Sequence, residues 1–188
     1  MITTVLLIIL GILLISVFWV IGKYNLLVKL RNNRENAFAD IDVQLKQRHD
    51  LIPQLVSTVK GYASHEKETL EKVINARNGA ISAQSIDEKI VAENALSSAL
   101  AGLKVTVERY PDLKANTNFL HLQEEISDIE NKLAAVRRYF NSATKELNTA
   151  VEMFPSNIIA GMFGFKKEMM FDLGTERKDL EKAPEISF

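Results

Sequence analysis

The sequence predicts an all-α membrane protein: an N-terminal transmembrane helix, then an elongated antiparallel (up-down) helical bundle of about four helices, two long and two short. Three observations carry this expectation. Residues 2–21 form an unbroken apolar run relieved only by Thr3, Thr4, Gly11 and Ser16, and the first charged side chain is Lys23. Apolar residues then recur at alternating spacings of three and four, the period of a helix with one buried stripe. No stretch alternates polar and apolar residues between turn signals, as a half-buried strand does.

The apolar run comes first. About 20 residues of helix at 1.5 Å each reach roughly 30 Å, the thickness of a bilayer's hydrocarbon core. A cleaved secretory signal is the competing reading, but it requires a positive charge ahead of a shorter apolar core and a small-x-small cleavage site. Here nothing basic precedes the run, which exits through Phe18, Trp19, Val20, Ile21, Gly22, Lys23 and Tyr24. Bulky residues fit a signal peptidase poorly, whereas Trp19 and Tyr24 suit a membrane–water interface. The expectation is a retained anchor over residues 1–22, marked by Ile2, Leu10, Trp19 and Ile21. Lys23, Lys29, Arg31 and Arg34 follow it, so the positive-inside tendency places the N-terminus outside and the rest in the cytoplasm.

Residues 23–154 read as the bundle with a membrane-proximal stalk. The clearest seam is Phe119, Leu122, Ile126, Ile129, Leu133, Val136, Phe140, Ala143, Leu147, Ala150 and Phe154. It predicts one helix over 113–154, about 60 Å long. A matching seam precedes it: Tyr24, Leu27, Arg31, Arg34, Phe38, Ile41, Leu45, Arg48, Ile52, Leu55, Val59 and Tyr62. Pro53 interrupts this second pattern, because a helix-interior proline loses a hydrogen bond and clashes one turn back. A kink or brief break near His49 and Asp50 is therefore expected, with Asp50 capping a restarted helix and Gly61 near its end. Two shorter helices are expected over 64–83, with Ser64 at a capped start, and from Ile86 or Asp87 to 109, ended by Pro111. Two long and two short helices joined by short loops give four packed helices far from the membrane. Only the long pair continues toward it, returning Phe154 to the exit of the anchor.

Residues 155–171 are dense in Ile, Met and Phe and carry paired lysines. Phe154, Ile158, Ile159, Met162, Phe163, Phe165, Lys166 and Lys167 suit a headgroup boundary, although the stretch is too short and too glycine-broken to be a second span. A flap over a groove between the long helices, a subunit contact and membrane insertion all stand as readings. Residues 172–188, with alternating charges and Pro184, read as a loose tail.

Composition excludes whole classes of function. Cysteine is absent, which rules out disulfides, thiolate metal sites and cysteine nucleophiles. The net charge of −1 offers no general attraction to nucleic acid, and no basic block interleaves with aromatics. His49-Asp50 and His65-Glu66 could form a carboxylate–imidazole metal site, but they stand apart across the expected kink without a two-ligand helix motif. Capping and hydrogen bonding explain them more simply, and His121 reads as solvated. No phosphate-cradling glycine loop or nucleophile elbow occurs, so no enzyme, cofactor or small-molecule substrate is expected. Arg31, Arg34 and Arg48 occupy an otherwise apolar seam. Either they pair within the chain with carboxylates such as Glu146 or Glu152, or they complete the two-helix stalk against neighbouring copies and set register between them.

The residues resemble the LemA family. The matching stretches include Tyr24-Asn25, Leu27-Val28, Asn36-Ala37-Phe38, Asp40-Ile41-Asp42-Val43-Gln44-Leu45-Lys46 and Arg48-His49-Asp50-Leu51-Ile52-Pro53. They continue with Val59-Lys60-Gly61-Tyr62-Ala63, Tyr110-Pro111-Asp112-Leu113 and Phe154-Pro155-Ser156-Asn157-Ile158-Ile159-Ala160. Phe38 stands where the family usually has tryptophan, and Tyr139-Phe140-Asn141 where a Tyr-Asn pair is usual. The resemblance implies a bacterial inner-membrane protein with an N-out anchor and a cytoplasmic helical domain. It brings no enzyme activity. Family members are linked to membrane organisation, including in magnetosome-forming bacteria, and some sit beside a membrane-bound zinc protease. The functional expectation is a scaffold in the bilayer that forms a homo-oligomer and shapes the membrane. The alternative is an adaptor or regulator of another membrane protein, such as a quality-control protease.

Overall fold

The structure, a computed structural model, describes residues 1–171; the tail expected over 172–188 lies outside the described residues. Among those described, every regular element is a helix: α1 (Ile2–Tyr62), α2 (Lys67–Ser82), α3 (Ile86–Val107), α4 (Pro111–Lys114), α5 (Thr117–Glu152) and α6 (Ser156–Met162). They fall into two compact units. One comprises Met1–Ala37 with Phe140–Met169, the other Phe38–Tyr139 with the chain from Met170.

Helix α1 runs through 61 residues without a break, Pro53 included. The break that was one form of the expected interruption near His49 and Asp50 is absent, and the carbonyl that Pro53 leaves open has another donor. Proline has no N–H to give the carbonyl one turn back, and in α1 that carbonyl belongs to His49. Arg77 Nε, from α2, donates to it at 2.7 Å instead. Asp50 caps nothing; its carboxylate accepts from Lys46 at 2.7 Å. The end of the helix at Tyr62 lies beside Gly61, as expected.

Helix α2 starts at Lys67, not at Ser64, with no side-chain cap. The Glu66 carboxylate, which stands at the cap position, is engaged by Arg109 and by the Tyr110 hydroxyl, both at 3.0 Å. Helix α3 opens on a capping box: Glu88 N–H donates to Ser85 Oγ at 3.2 Å and Ser85 N–H to Glu88 Oε2 at 3.1 Å. Its length and composition would permit a membrane span, yet Ile90, Leu96, Leu103 and Val107 are buried and its centre carries the buried Glu93. It is a core helix.

The expected helix over 113–154 is divided and shorter. Pro111 starts α4 as a separate turn, a position where its missing N–H costs nothing. Asn116 Oδ1 then accepts the Phe119 N–H at 2.9 Å and caps α5. In the second unit Ile52, Leu55, Val56 and Val59 of α1 form one core with Leu70, Val73 and Ala80 of α2, Leu96, Leu103 and Val107 of α3, Leu113 of α4 and Phe119 of α5. Along α5 the seam residues Leu122, Ile129, Leu133, Phe140, Ala143 and Leu147 are all buried. Phe154, beyond the helix end, is not.

Candidate membrane-facing site

The first unit contains the apolar run. Ile2, Leu10, Trp19 and Ile21 are exposed, as are almost all their neighbours along residues 2–21. A helix that is apolar all round requires an apolar surrounding. Lys23 places its ammonium 5.9 Å from the Trp19 ring centre, the pairing of cation and aromatic that suits a membrane boundary.

Directly after this run, α6 is fastened to α1. The chain leaves α5 through a cis Phe154–Pro155 bond. The Ser156 hydroxyl then lies 2.6 Å from the Ala150 carbonyl and 2.8 Å from that of Met153, serving the carbonyls that the helix end leaves open. Gly164 ends α6 at φ +73°, a left-handed conformation that glycine adopts without steric cost. With it comes the hydrogen bond of a Schellman motif, from Phe165 N–H to the Ala160 carbonyl at 2.9 Å. Phe165 and Ala160 are then joined in a cluster with Val20, Leu27, Ala150, Val151 and Ile159. Tyr24 packs its ring 4.7 Å from Phe163 and 6.0 Å from Phe165, and the Arg31 guanidinium covers Phe165 at 5.3 Å.

The following residues are held to α5 and α1 by polar contacts. The Asn148 amide donates to the Glu168 carbonyl at 2.9 Å and accepts its N–H at 2.8 Å. Arg34, buried, pairs with the Glu168 carboxylate at 3.1 Å, donates to the Met169 carbonyl at 3.3 Å and lies 5.1 Å from the centre of the Phe140 ring. Lys167 reaches Glu152 at 2.7 Å. The result divides the candidate interface residues. Ile159 is buried and Phe165 half-buried, whereas Phe154 (78% exposed), Ile158, Met162 (71%), Phe163, Lys166 and Lys167 face outward.

In the second unit Phe171 is buried, stacked on Phe38 at 6.2 Å and covered by the Arg137 guanidinium at 5.0 Å. Arg48 is wholly buried. It pairs with Glu93 of α3 and, at 2.6 Å, with Glu130 of α5, and donates to Ser97 Oγ at 3.2 Å. Its partners are therefore not Glu146 or Glu152. His49 Nε2 lies 2.7 Å from the other Glu93 oxygen. Burial pushes the Glu93 carboxyl up, but the His49 hydrogen bond and the charges of Arg48 and His49 outweigh it, leaving the group below the usual glutamate range. Beside it lies an open cleft of about 350 Å³, lined by Asp42, Lys46, His49, Asp50, Lys89 and Glu93 among others. Lys89 is bonded there to both Asp42 oxygens at 2.9 and 2.8 Å. Among the described residues no group of three His, Cys, Asp or Glu side chains is placed to hold a metal ion.

Sequence reasoning missed Glu93, Arg77, Asn148 and Gly164. Glu93 left a signal: it extends the seam of Leu96, Leu100, Leu103 and Val107 backward by one step of three, opposite in charge to the arginine on the α1 seam. Asn148 left none, since its partner is backbone far along the chain.

With helix as its one kind of regular element among the described residues and an uncovered apolar N-terminal helix, the chain is a membrane-associated α-helical protein. The sequence pattern of the LemA family matches residues 37–188, and the chain belongs to that family. It is 28% identical to Protein LemA of Metamycoplasma hominis over 177 residues, covering 92% of this chain and 80% of that protein. It is 22% identical to the magnetosome protein MamQ of Magnetospirillum gryphiswaldense and 21% identical to magnetosome protein MamQ 2 of Paramagnetospirillum magneticum. These two alignments cover 79% of this chain, which spans 64%, less than two thirds, of each MamQ protein.

Proposed function

We propose that the chain is a single-pass, non-enzymatic membrane scaffold that self-associates into a homo-oligomer and organises or shapes the bilayer. In this reading it lies in a bacterial inner membrane with its N-terminus outside and its helical part cytoplasmic, where α1, α2, α3 and α5 alternate in direction as an antiparallel bundle. The carrying observation is the continuity of α1. One 61-residue helix includes both the exposed apolar run and the residues from Ile52 to Val59 at the core of the second unit. No loop intervenes within α1 between the apolar run and those core residues. The likeness to two magnetosome proteins supports a role in membrane organisation.

Self-association is argued from what remains outside the core. Arg48 is consumed internally, but Val91 and Val105 lie exposed on one face of α3. Exposed apolar side chains sharing a face are candidates for contact with another copy. The test is light scattering on the detergent-extracted full chain. A discrete particle at a multiple of the chain mass is expected. Monodisperse monomer at micromolar concentration overturns the reading, and crosslinking in native membranes dominated by one heterologous protein favours an adaptor instead.

A further inference from the structure

We propose that the outward face of α6 is a second bilayer contact, in which Ile158, Met162 and Phe163 enter the headgroup boundary of an anionic leaflet. This rests on the reading that residues 2–21 span the membrane. Helix α6 is apolar on two sides. Ile159 and Ala160 face inward and are buried, while Ile158 and Met162, one turn apart, face outward and are exposed, followed directly by the exposed Phe163. Folding of the unit uses the first face and leaves the second uncovered, and a contiguous exposed apolar patch marks a contact surface.

The position of the patch selects the occupant. The cluster that seats α6 includes Val20 and Leu27, and the Tyr24 ring lies 4.7 Å from that of Phe163. From the end of the apolar run to Tyr24 is only about 5 Å of helix. Interfacial helices sink about 5–10 Å into the boundary between headgroups and acyl chains. A span ending at Ile21 therefore brings the outward face of α6 to that boundary without rearrangement. Charge points the same way. Lys23, Lys29 and Arg31 follow the run, no acidic residue precedes Glu35, and Lys166 stands exposed just after α6. Basic side chains at this depth favour anionic lipid and can extend toward the headgroups from an apolar base.

The chain has no cysteine, so one introduced thiol reports one position. The full chain carrying Met162→Cys, labelled with an environment-sensitive fluorophore, is reconstituted in phosphatidylcholine vesicles with or without phosphatidylglycerol. Part of the lipid bears a nitroxide at a shallow acyl position. The label is expected to be quenched, and more strongly with phosphatidylglycerol, while the same label on Ser98→Cys in α3 is not. Adding Lys166→Gln and Lys167→Gln is expected to reduce the phosphatidylglycerol increment, the rest coming from Lys23, Lys29 and Arg31. A label at 162 no more quenched than at 98 overturns the proposal. So does a blue shift without quenching that grows with protein density, since a second copy then covers the face. Phe163→Cys repeats the measurement should Met162→Cys disturb α6. Light scattering on the same protein keeps the two ideas apart: a monomer with a quenched label overturns self-association alone, and an oligomer with an unquenched label overturns this contact alone.

Discussion

A helix-interior proline leaves one carbonyl without its donor, and in α1 that carbonyl is His49's, served by Arg77 Nε at 2.7 Å. Arg77→Ala is expected to destabilise the fold by about 1 kcal/mol, since it abandons a part-buried acceptor. In a Pro53→Ala background the restored amide can bond the same carbonyl, so the cost of Arg77→Ala should shrink there. Thermal unfolding of the four chains in detergent, followed by circular dichroism, gives the coupling; equal costs in both backgrounds would refute the substitution of one donor for the other. Glu93 presents a different case. Its folded pKa is depressed, so the stability it contributes is present above the unfolded value and is lost as pH falls through the folded one. The protein should weaken below about pH 4.3, the unfolded glutamate value. Glu93→Gln should flatten that acid limb while lowering stability at neutral pH by about 1–3 kcal/mol, because the buried Arg48 then keeps only Glu130 as an anionic partner. An unchanged acid limb in Glu93→Gln would assign the acid sensitivity elsewhere.

Elements were legible where a single helix carries its own signal. The seams of α1 and α5 show in sequence because burial repeats along one helix face, and Leu27, Ile41, Leu45, Leu133 and Leu147 are buried as the spacing requires. The Ser85-x-x-Glu88 box is an equally local signal, because cap and partner stand three residues apart. The end of α6 was not legible. Gly164 looks like any loop glycine until its φ of +73° and the Phe165-to-Ala160 hydrogen bond reveal a Schellman ending that turns Phe165 back onto α1. Gly164→Ala is expected to cost about 1–2 kcal/mol, the penalty of a side chain in the left-handed region. It should also loosen Phe165 from Tyr24, seen as faster amide exchange over α6 with α3 unaffected. Unchanged exchange and stability would mean that the turn does not hold the segment.

At the scale of the whole molecule the apolar run, the helical class and the stripes that face the core follow from the sequence alone, because each is a property of neighbours within a few turns. Tertiary structure decided who meets whom. The seam arginines illustrate the boundary. Their presence on an apolar stripe is visible in sequence, but the acids nearest to hand by simple chain reversal, Glu146 and Glu152, are not their partners; Arg48 takes Glu93 and Glu130, and Arg34 takes Glu168. The aromatic segment divides in the same way. Composition marks 155–171 as apolar, yet only packing buries Ile159 and Phe171, half-buries Phe165, and turns Ile158, Met162 and Phe163 outward. Helical periodicity records how strongly a face avoids water. It holds no record of which distant surface covers that face, since that choice is made by shape and charge between segments far apart in the chain.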